Sequence, residues 1–199
     1  MTGEIPMPGG WTMSTIWLPM CGQSWLGAAA GFTRMWASMM VPMMLPLAVP
    51  ALRRYRTALD GAGGWRPLLL TLTAGLAWAA AWTASGLPLY VIGAAVARAL
   101  PGMPAVARMV PMLAAAAGVA GVGWHVASWR RRPLQPPAAA SAPPVFAAAL
   151  RQGARLGGHC VRRCAGLSVA LLAAGIMERS TMVCAIAVVA AESVCLRER

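Results

Sequence analysis

Long apolar runs dominate the chain, and the short segments between them carry most of the arginines. Several runs have the roughly 20 apolar residues that a helix needs to cross the hydrocarbon core of a bilayer. The pattern therefore predicts an all-α fold, a multi-pass transmembrane helical bundle of about five spans. The predicted spans are residues 27–51, 67–97, 105–128, 160–177 and 181–196.

The first segment outside these spans, residues 1–26, is rich in tryptophan, methionine, proline and glycine. It is too often interrupted to form a spanning helix. Tryptophan is enriched at membrane–water interfaces because its ring is apolar while its N–H is polar. Trp11, Trp17 and Trp25 therefore predict an interfacial segment before the first span.

A second interruption, residues 129–158, separates the third predicted span from the fourth. It begins with basic residues and continues with a proline- and alanine-rich stretch, which favours an extended or flexible linker. Its end, residues 145–158, alternates apolar and basic positions and predicts a separate helix on the membrane surface. Residues 27–199 are thus predicted to form a single membrane domain, with 129–158 as its linker.

The overall composition agrees with a membrane protein. The chain has 199 residues, of which 59% are hydrophobic and 11% are charged. Soluble globular domains have about 25% charged residues, so a soluble globular protein is excluded. Intrinsic disorder requires low hydrophobicity and is excluded as well.

The net charge of +12 comes from 17 arginines, without any lysine, against five acidic residues. Arginines concentrate in residues 52–66, in residues 129–163 and at the C-terminus. Because cytoplasmic loops of membrane proteins carry the excess of positive charge, the N-terminus is predicted to be periplasmic and the C-terminus cytoplasmic. The linker 129–158 is then cytoplasmic. Arginines placed between apolar spans are expected to contact anionic lipids rather than nucleic acid.

Sulfur is the third unusual feature, since the chain has 14 methionines and five cysteines. Methionines recur at four-residue spacing in the first predicted span, which places them on adjoining stripes of one helix. Thioethers are soft ligands that favour Cu(I) over hard cations. The candidate thioether ligands are Met35, Met39, Met40, Met43 and Met44.

Imidazole, thiol and carboxylate groups form a second candidate set. Cys160 and Cys164 are four residues apart and therefore share one helix face, with His159 next to them. The predicted topology places His125 and Glu192 in the same layer, at the cytoplasmic edge of the spans. Ionisable groups inside a membrane are costly and are usually functional, so this layer predicts an inner metal site.

Simpler interpretations of the same residues stay open at this point. Methionine is an adaptable apolar filler, and buried cysteine behaves as a small hydrophobic residue. His125 and His159 are also compatible with interfacial positions, and Glu192 with an ion pair to an arginine such as Arg197. Neither a nucleotide-binding glycine loop nor a haem-attachment motif occurs in the sequence. No catalytic constellation is recognised, so the sequence does not favour an enzyme.

The sequence contains two distinctive motifs, Met35-Trp-x-x-Met39-Met40-x-x-Met43-Met44-Leu-Pro46 and His159-Cys160-x-x-x-Cys164. They resemble motifs of a family of bacterial inner-membrane proteins described as predicted metal-binding integral membrane proteins. The resemblance implies a multi-pass fold with a soft-metal site, located in the bacterial inner membrane.

The leading hypothesis is an inner-membrane protein that binds or handles a soft transition metal, most simply copper. The first alternative is a non-catalytic accessory or assembly subunit of a larger membrane complex, of respiratory, photosynthetic or monooxygenase type. It is suggested by the short chain and by small residues that let membrane helices pack closely, including against other subunits. A weaker alternative is a redox enzyme that works with a partner's cofactor.

Overall fold

The structure is a computed structural model and is mostly helical. It describes residues 4–7, 10–19, 22–59, 63–131, 145–174, 183, 186–189 and 191. Four long helices lie in the described part: α1 (Trp25–Thr57), α2 (Arg66–Ala99), α3 (Pro104–Arg131) and α4 (Phe146–Ala174). Two short strands precede them, β1 (Glu4–Met7) and β2 (Trp11–Ser14).

The first three helices agree with the first three predicted spans. Among the described residues, three segments are long and apolar enough to cross a membrane: Trp25–Thr57, Arg66–Gly102 and Pro104–Ser128. The start of α1 is fixed by Ser24, whose side-chain oxygen accepts a hydrogen bond of 3.1 Å from the Gly27 N–H. Most of the predicted fifth span, 181–196, lies outside the described residues.

Glycines bring neighbouring helices into close contact. A Cβ added at Gly153 of α4 would overlap the Ala74 carbonyl of α2, and one at Gly157 would lie 2.5 Å from the Ala81 Cβ. Gly153 lies beside Ala74, and Gly157, one turn later in α4, lies beside Ala81, which is later in α2. α2 and α4 therefore run parallel. On the other side of α4, a Cβ added at Gly121 of α3 would lie 2.5 Å from the Gly166 carbonyl. The helices therefore pack in the order α1, α2, α4, α3.

The prediction of two separate elements at 145–158 and 160–177 is wrong, because one continuous helix covers residues 146–174. Its buried positions keep a single register from Ala149 through Cys160 to Leu171. Between them, Arg151, Arg155 and Arg162 are exposed and Arg163 is half-buried. The N-terminal half of α4 thus packs against α2 instead of forming a surface helix of its own. The cytoplasmic location of 129–158 stays a prediction.

The N-terminal segment also differs from the all-α prediction, because β1 and β2 form an antiparallel hairpin. Gly10, with φ of 78°, adopts a conformation that residues with a Cβ rarely reach, and it lies directly before β2. Met7 and Met13 point to the same face of the hairpin and are buried against α2 and α3. The indole N–H of Trp11 donates a hydrogen bond of 2.9 Å to the Ala107 carbonyl. The hairpin therefore covers the end of the bundle where α2 meets α3.

Exposed arginines gather at the opposite end of the molecule. They lie on the last turns of α1, the first residue of α2 and the N-terminal half of α4, which the packing of α4 against α2 brings together. They are Arg53, Arg54, Arg56, Arg66, Arg151 and Arg155. Three other exposed arginines, Arg34, Arg98 and Arg108, lie in the half of the molecule near the hairpin. The orientation in a membrane stays a prediction.

Candidate metal centre

Two thiols lie one turn apart on the buried face of α4. The side chains of Cys160 and Cys164 are 3% and 1% exposed, and neither forms a disulfide. The two thiol groups lie close enough to interact with each other. A pair of adjacent buried thiols offers two soft donors for a metal ion.

Two tryptophans of α2 cover this thiol pair. Trp78 and Trp82 are each 1% exposed and belong to the same core cluster as both cysteines. Their indole N–H groups approach the Cys160 thiol, yet neither reaches hydrogen-bond geometry with any acceptor. Gly157 makes the close packing possible, because a Cβ there would lie 3.2 Å from the Trp78 carbonyl. The thiol pair is therefore enclosed on the α2 side by aromatic rings.

Methionines of α1 enter the same core. Met40 and Met44 are fully buried and Met43 is nearly so, and all three share one cluster with Cys160 and Cys164. Met35 and Met39 are half-buried and pack at the edge of that cluster. We refer to Cys160, Cys164, Met40, Met43 and Met44 as the sulfur core. The two motifs, far apart in sequence, thus meet in one buried region.

The register of α1 on α2 is fixed beside the sulfur core. The Trp36 N–H donates hydrogen bonds of 3.2 Å to both the Trp82 carbonyl and the Ser85 hydroxyl. The Trp36 ring lies against Gly86, where an added Cβ would be 2.8 Å from a ring carbon. Because Met40 lies one turn after Trp36, this anchor holds the methionine face of α1 next to Trp82.

The remaining predicted ligands are His159, His125 and Glu192. His159 is exposed and does not share the face of the two cysteines. His125 is 5% exposed, and its backbone lies against α4, because a Cβ added at Gly166 would be 3.0 Å from the His125 backbone N. Glu192 lies outside the described residues. Within the described ranges, no group of three or more His, Cys, Asp or Glu side chains is placed to hold a metal ion. Among the described residues, the thioethers of the sulfur core are the other soft side chains in the cluster that contains the thiol pair.

Sequence reasoning did not identify Trp78 and Trp82 as part of the site. A signal was present, because these two tryptophans are four residues apart on an apolar helix and the buried stripe continues to Tyr90. The pairing of α2 with α4, which brings this stripe against Cys160, is a tertiary feature that the spacing alone does not indicate.

Comparison with known proteins gives the family to which the chain belongs. A family model described as PpoB2, copper chaperone, matches residues 33–199. The chain belongs to the PpoB2 copper chaperone family. The matched range contains both sequence motifs and the whole sulfur core. No curated protein matches the chain, and no solved structure matches it.

Membership of the PpoB2 family confirms the predicted resemblance as far as a copper-related bacterial family. It supports copper handling in general.

Proposed function

We propose that this protein is a membrane-embedded copper chaperone that takes up Cu(I) in the sulfur core and passes it to an acceptor protein. One observation carries the proposal: two thiols and three thioethers from helices α4 and α1 share a single buried cluster. Family membership indicates that the metal is copper, since the matching family is described as a copper chaperone. Copper is the cargo here, and the chain supplies the ligands.

The donor set suits Cu(I) chemically. Thiolate and thioether ligands favour Cu(I), whereas hard cations such as Mg²⁺ or Ca²⁺ prefer oxygen ligands. A buried site also disfavours net charge. Cu(I) bound by one thiolate and neutral thioethers has no net charge, which is the least costly arrangement in an apolar core. Each thiol that binds copper releases its proton, so binding is expected to weaken as the pH falls.

The methionines of α1 suggest a way in and out of the core. Met35 and Met39 lie at the edge of the cluster and Met40 and Met44 lie inside it. The spacing places successive thioethers about one helical turn apart, roughly 5–6 Å along the axis. In the proposed route, copper exchanges between thioethers along α1 and is held most strongly by the thiol pair.

Location in the bacterial inner membrane, with the N-terminus periplasmic, forms part of the proposal. It is supported by three helices that are long and apolar enough to cross a membrane. It is also supported by the exposed arginines at one end of the molecule, which would face the cytoplasm and contact anionic lipids there.

An accessory or assembly role in a larger membrane complex is the second candidate. The observation that favours it is the apolar surface of α3, which has large exposed side chains such as Met112, Val119 and Trp124. Either lipid or another subunit fits such a surface. Native mass spectrometry after gentle extraction separates the two, because a stable accessory subunit will be recovered with its complex and a chaperone will be recovered mostly alone.

The thioether contribution is tested by replacing Met40 and Met44 with leucine, which keeps the volume and removes the sulfur. Cu(I) affinity of the purified protein, measured anaerobically in detergent by competition with bathocuproine disulfonate, is expected to fall by about 10-fold or more. The matched control is Met112→Leu on the exposed face of α3, where no change is expected. Equal affinities for wild type and Met40→Leu/Met44→Leu would remove the thioethers from the site.

His159→Ala tests whether the neighbouring imidazole belongs to the site. Because His159 is exposed and Cys160 faces the core, we expect the Cu(I) affinity to stay within about twofold of wild type. The same chelator competition measures it. A loss comparable to that of the methionine variant would show that the imidazole reaches the copper, as the sequence alone predicted.

A further inference from the structure

Two buried indole N–H groups lack a hydrogen-bond acceptor at the place where the thiols lie. They belong to Trp78 and Trp82, and both side chains are almost completely buried. Buried tryptophan N–H groups usually have an acceptor, and leaving one without a partner is costly. Trp36 provides the contrast in the same cluster, because its N–H is bonded to the Trp82 carbonyl and the Ser85 hydroxyl.

The acceptor that these N–H groups face is a sulfur atom. Both approach the Cys160 side chain, which lies one turn after the Gly157 contact that brings α4 close to α2. A thiol sulfur is a weak acceptor. A thiolate sulfur carries negative charge, and hydrogen bonds to charged acceptors are shorter and stronger. The two indoles therefore match the form that Cys160 takes when it binds a metal ion.

We propose that Trp78 and Trp82 are positioning residues that donate indole N–H hydrogen bonds to the Cys160 sulfur when Cu(I) is bound. This inference rests on the proposed copper site. On binding, the Cys160 thiol would release its proton to water, a sulfur lone pair would bond to copper, and both indoles would keep their protons. Donors around a metal ligand typically change metal affinity by 10–100-fold. The bonds would thus favour copper at Cys160 over copper on the neutral thioethers.

The first test uses phenylalanine, which keeps an aromatic ring and removes the N–H. Trp78→Phe and Trp82→Phe are each expected to weaken Cu(I) binding about 10-fold in the bathocuproine disulfonate competition. Trp124→Phe is the matched control: it removes an indole N–H from an exposed side chain of α3, 64% exposed and outside the sulfur core, and is expected to leave the affinity within about twofold. Affinities of Trp78→Phe and Trp82→Phe equal to that of Trp124→Phe would overturn the inference.

The second test needs no substitution that might unfold the protein. In wild-type protein carrying ¹⁵N-labelled tryptophan, one equivalent of Cu(I) is expected to move the Trp78 and Trp82 indole N–H signals downfield, while the Trp36 signal stays in place. Unmoved signals in copper-loaded protein would refute the hydrogen bonds and leave the copper site intact. Wild-type protein that binds no Cu(I) would instead refute the proposed function itself, so the two failures are distinguishable.

Discussion

Replacing both Cys160 and Cys164 with serine is expected to abolish stoichiometric Cu(I) binding. Serine has nearly the same shape as cysteine but offers a hard hydroxyl oxygen in place of a soft thiolate. The two thiols are the only cysteines in the described core, where they lie one turn apart. The affinity should therefore fall by more than the roughly 100-fold upper range typical of changes around a ligand.

The measurement compares copper per chain, by elemental analysis, with affinity from chelator competition. The single variants Cys160→Ser and Cys164→Ser act as internal controls, since each keeps one thiol and is expected to retain weaker binding. The melting temperature of each variant shows whether the fold survives. Wild-type affinity in the folded double variant would place copper elsewhere and contradict the proposed site.

The three longest apolar runs could be predicted as helices because length and hydropathy alone determine them. α1, α2 and α3 extend a few residues beyond predicted spans one to three. The helix ends outside the predicted spans include charged residues such as Arg54 and Arg66. A charged residue interrupts an apolar run in the sequence, but the helix continues through it. Hydropathy therefore locates the apolar core of a helix better than its ends.

α4 could not be predicted as one helix because its continuity depends on packing. Arg151 and Arg155 make the N-terminal half look like a surface element, and the apolar residues after Cys160 look like a new span. The structure joins them because the small residues at Gly153 and Gly157 allow one face to pack on α2 throughout. Small residues at four-residue spacing indicate a face that packs closely on another helix. The spacing alone does not say which helix that is.

For the candidate site, sequence spacing identified the face shared by Cys160 and Cys164 and the methionine stripes of α1. It did not give their surroundings. The predicted topology placed Cys160 at an edge of the spans, whereas the structure puts it beside Trp82, about half-way along α2. The sequence analysis inferred the depth of Cys160 in the membrane from the predicted start of the fourth span at residue 160. The structure has no helix start there, because α4 begins at Phe146.

Gly157→Ala is expected to destabilise the protein and weaken its copper site, although alanine is the better helix former. The new methyl group would lie 2.5 Å from the Ala81 Cβ, so α4 must move away from α2. Overpacking of this kind costs about 1–3 kcal/mol. It outweighs the roughly 1 kcal/mol that alanine gains over glycine in a helix. The same movement separates Cys160 from Trp78 and Trp82.

The adjacent residue is a matched control for this prediction. A Cβ added at Gly158 meets nothing within 4 Å, so Gly158→Ala receives the helix gain without the clash. Its melting temperature in detergent should equal or exceed that of wild type, with unchanged Cu(I) affinity, while Gly157→Ala lowers both. If the two alanine variants behaved alike, close packing of α4 on α2 would not be what sets the copper site. Gly157 and Gly158 are neighbours in the same helix, and both substitutions add one methyl group. A difference between the two variants therefore reports the contact between α4 and α2 and not the general effect of replacing glycine by alanine in a helix.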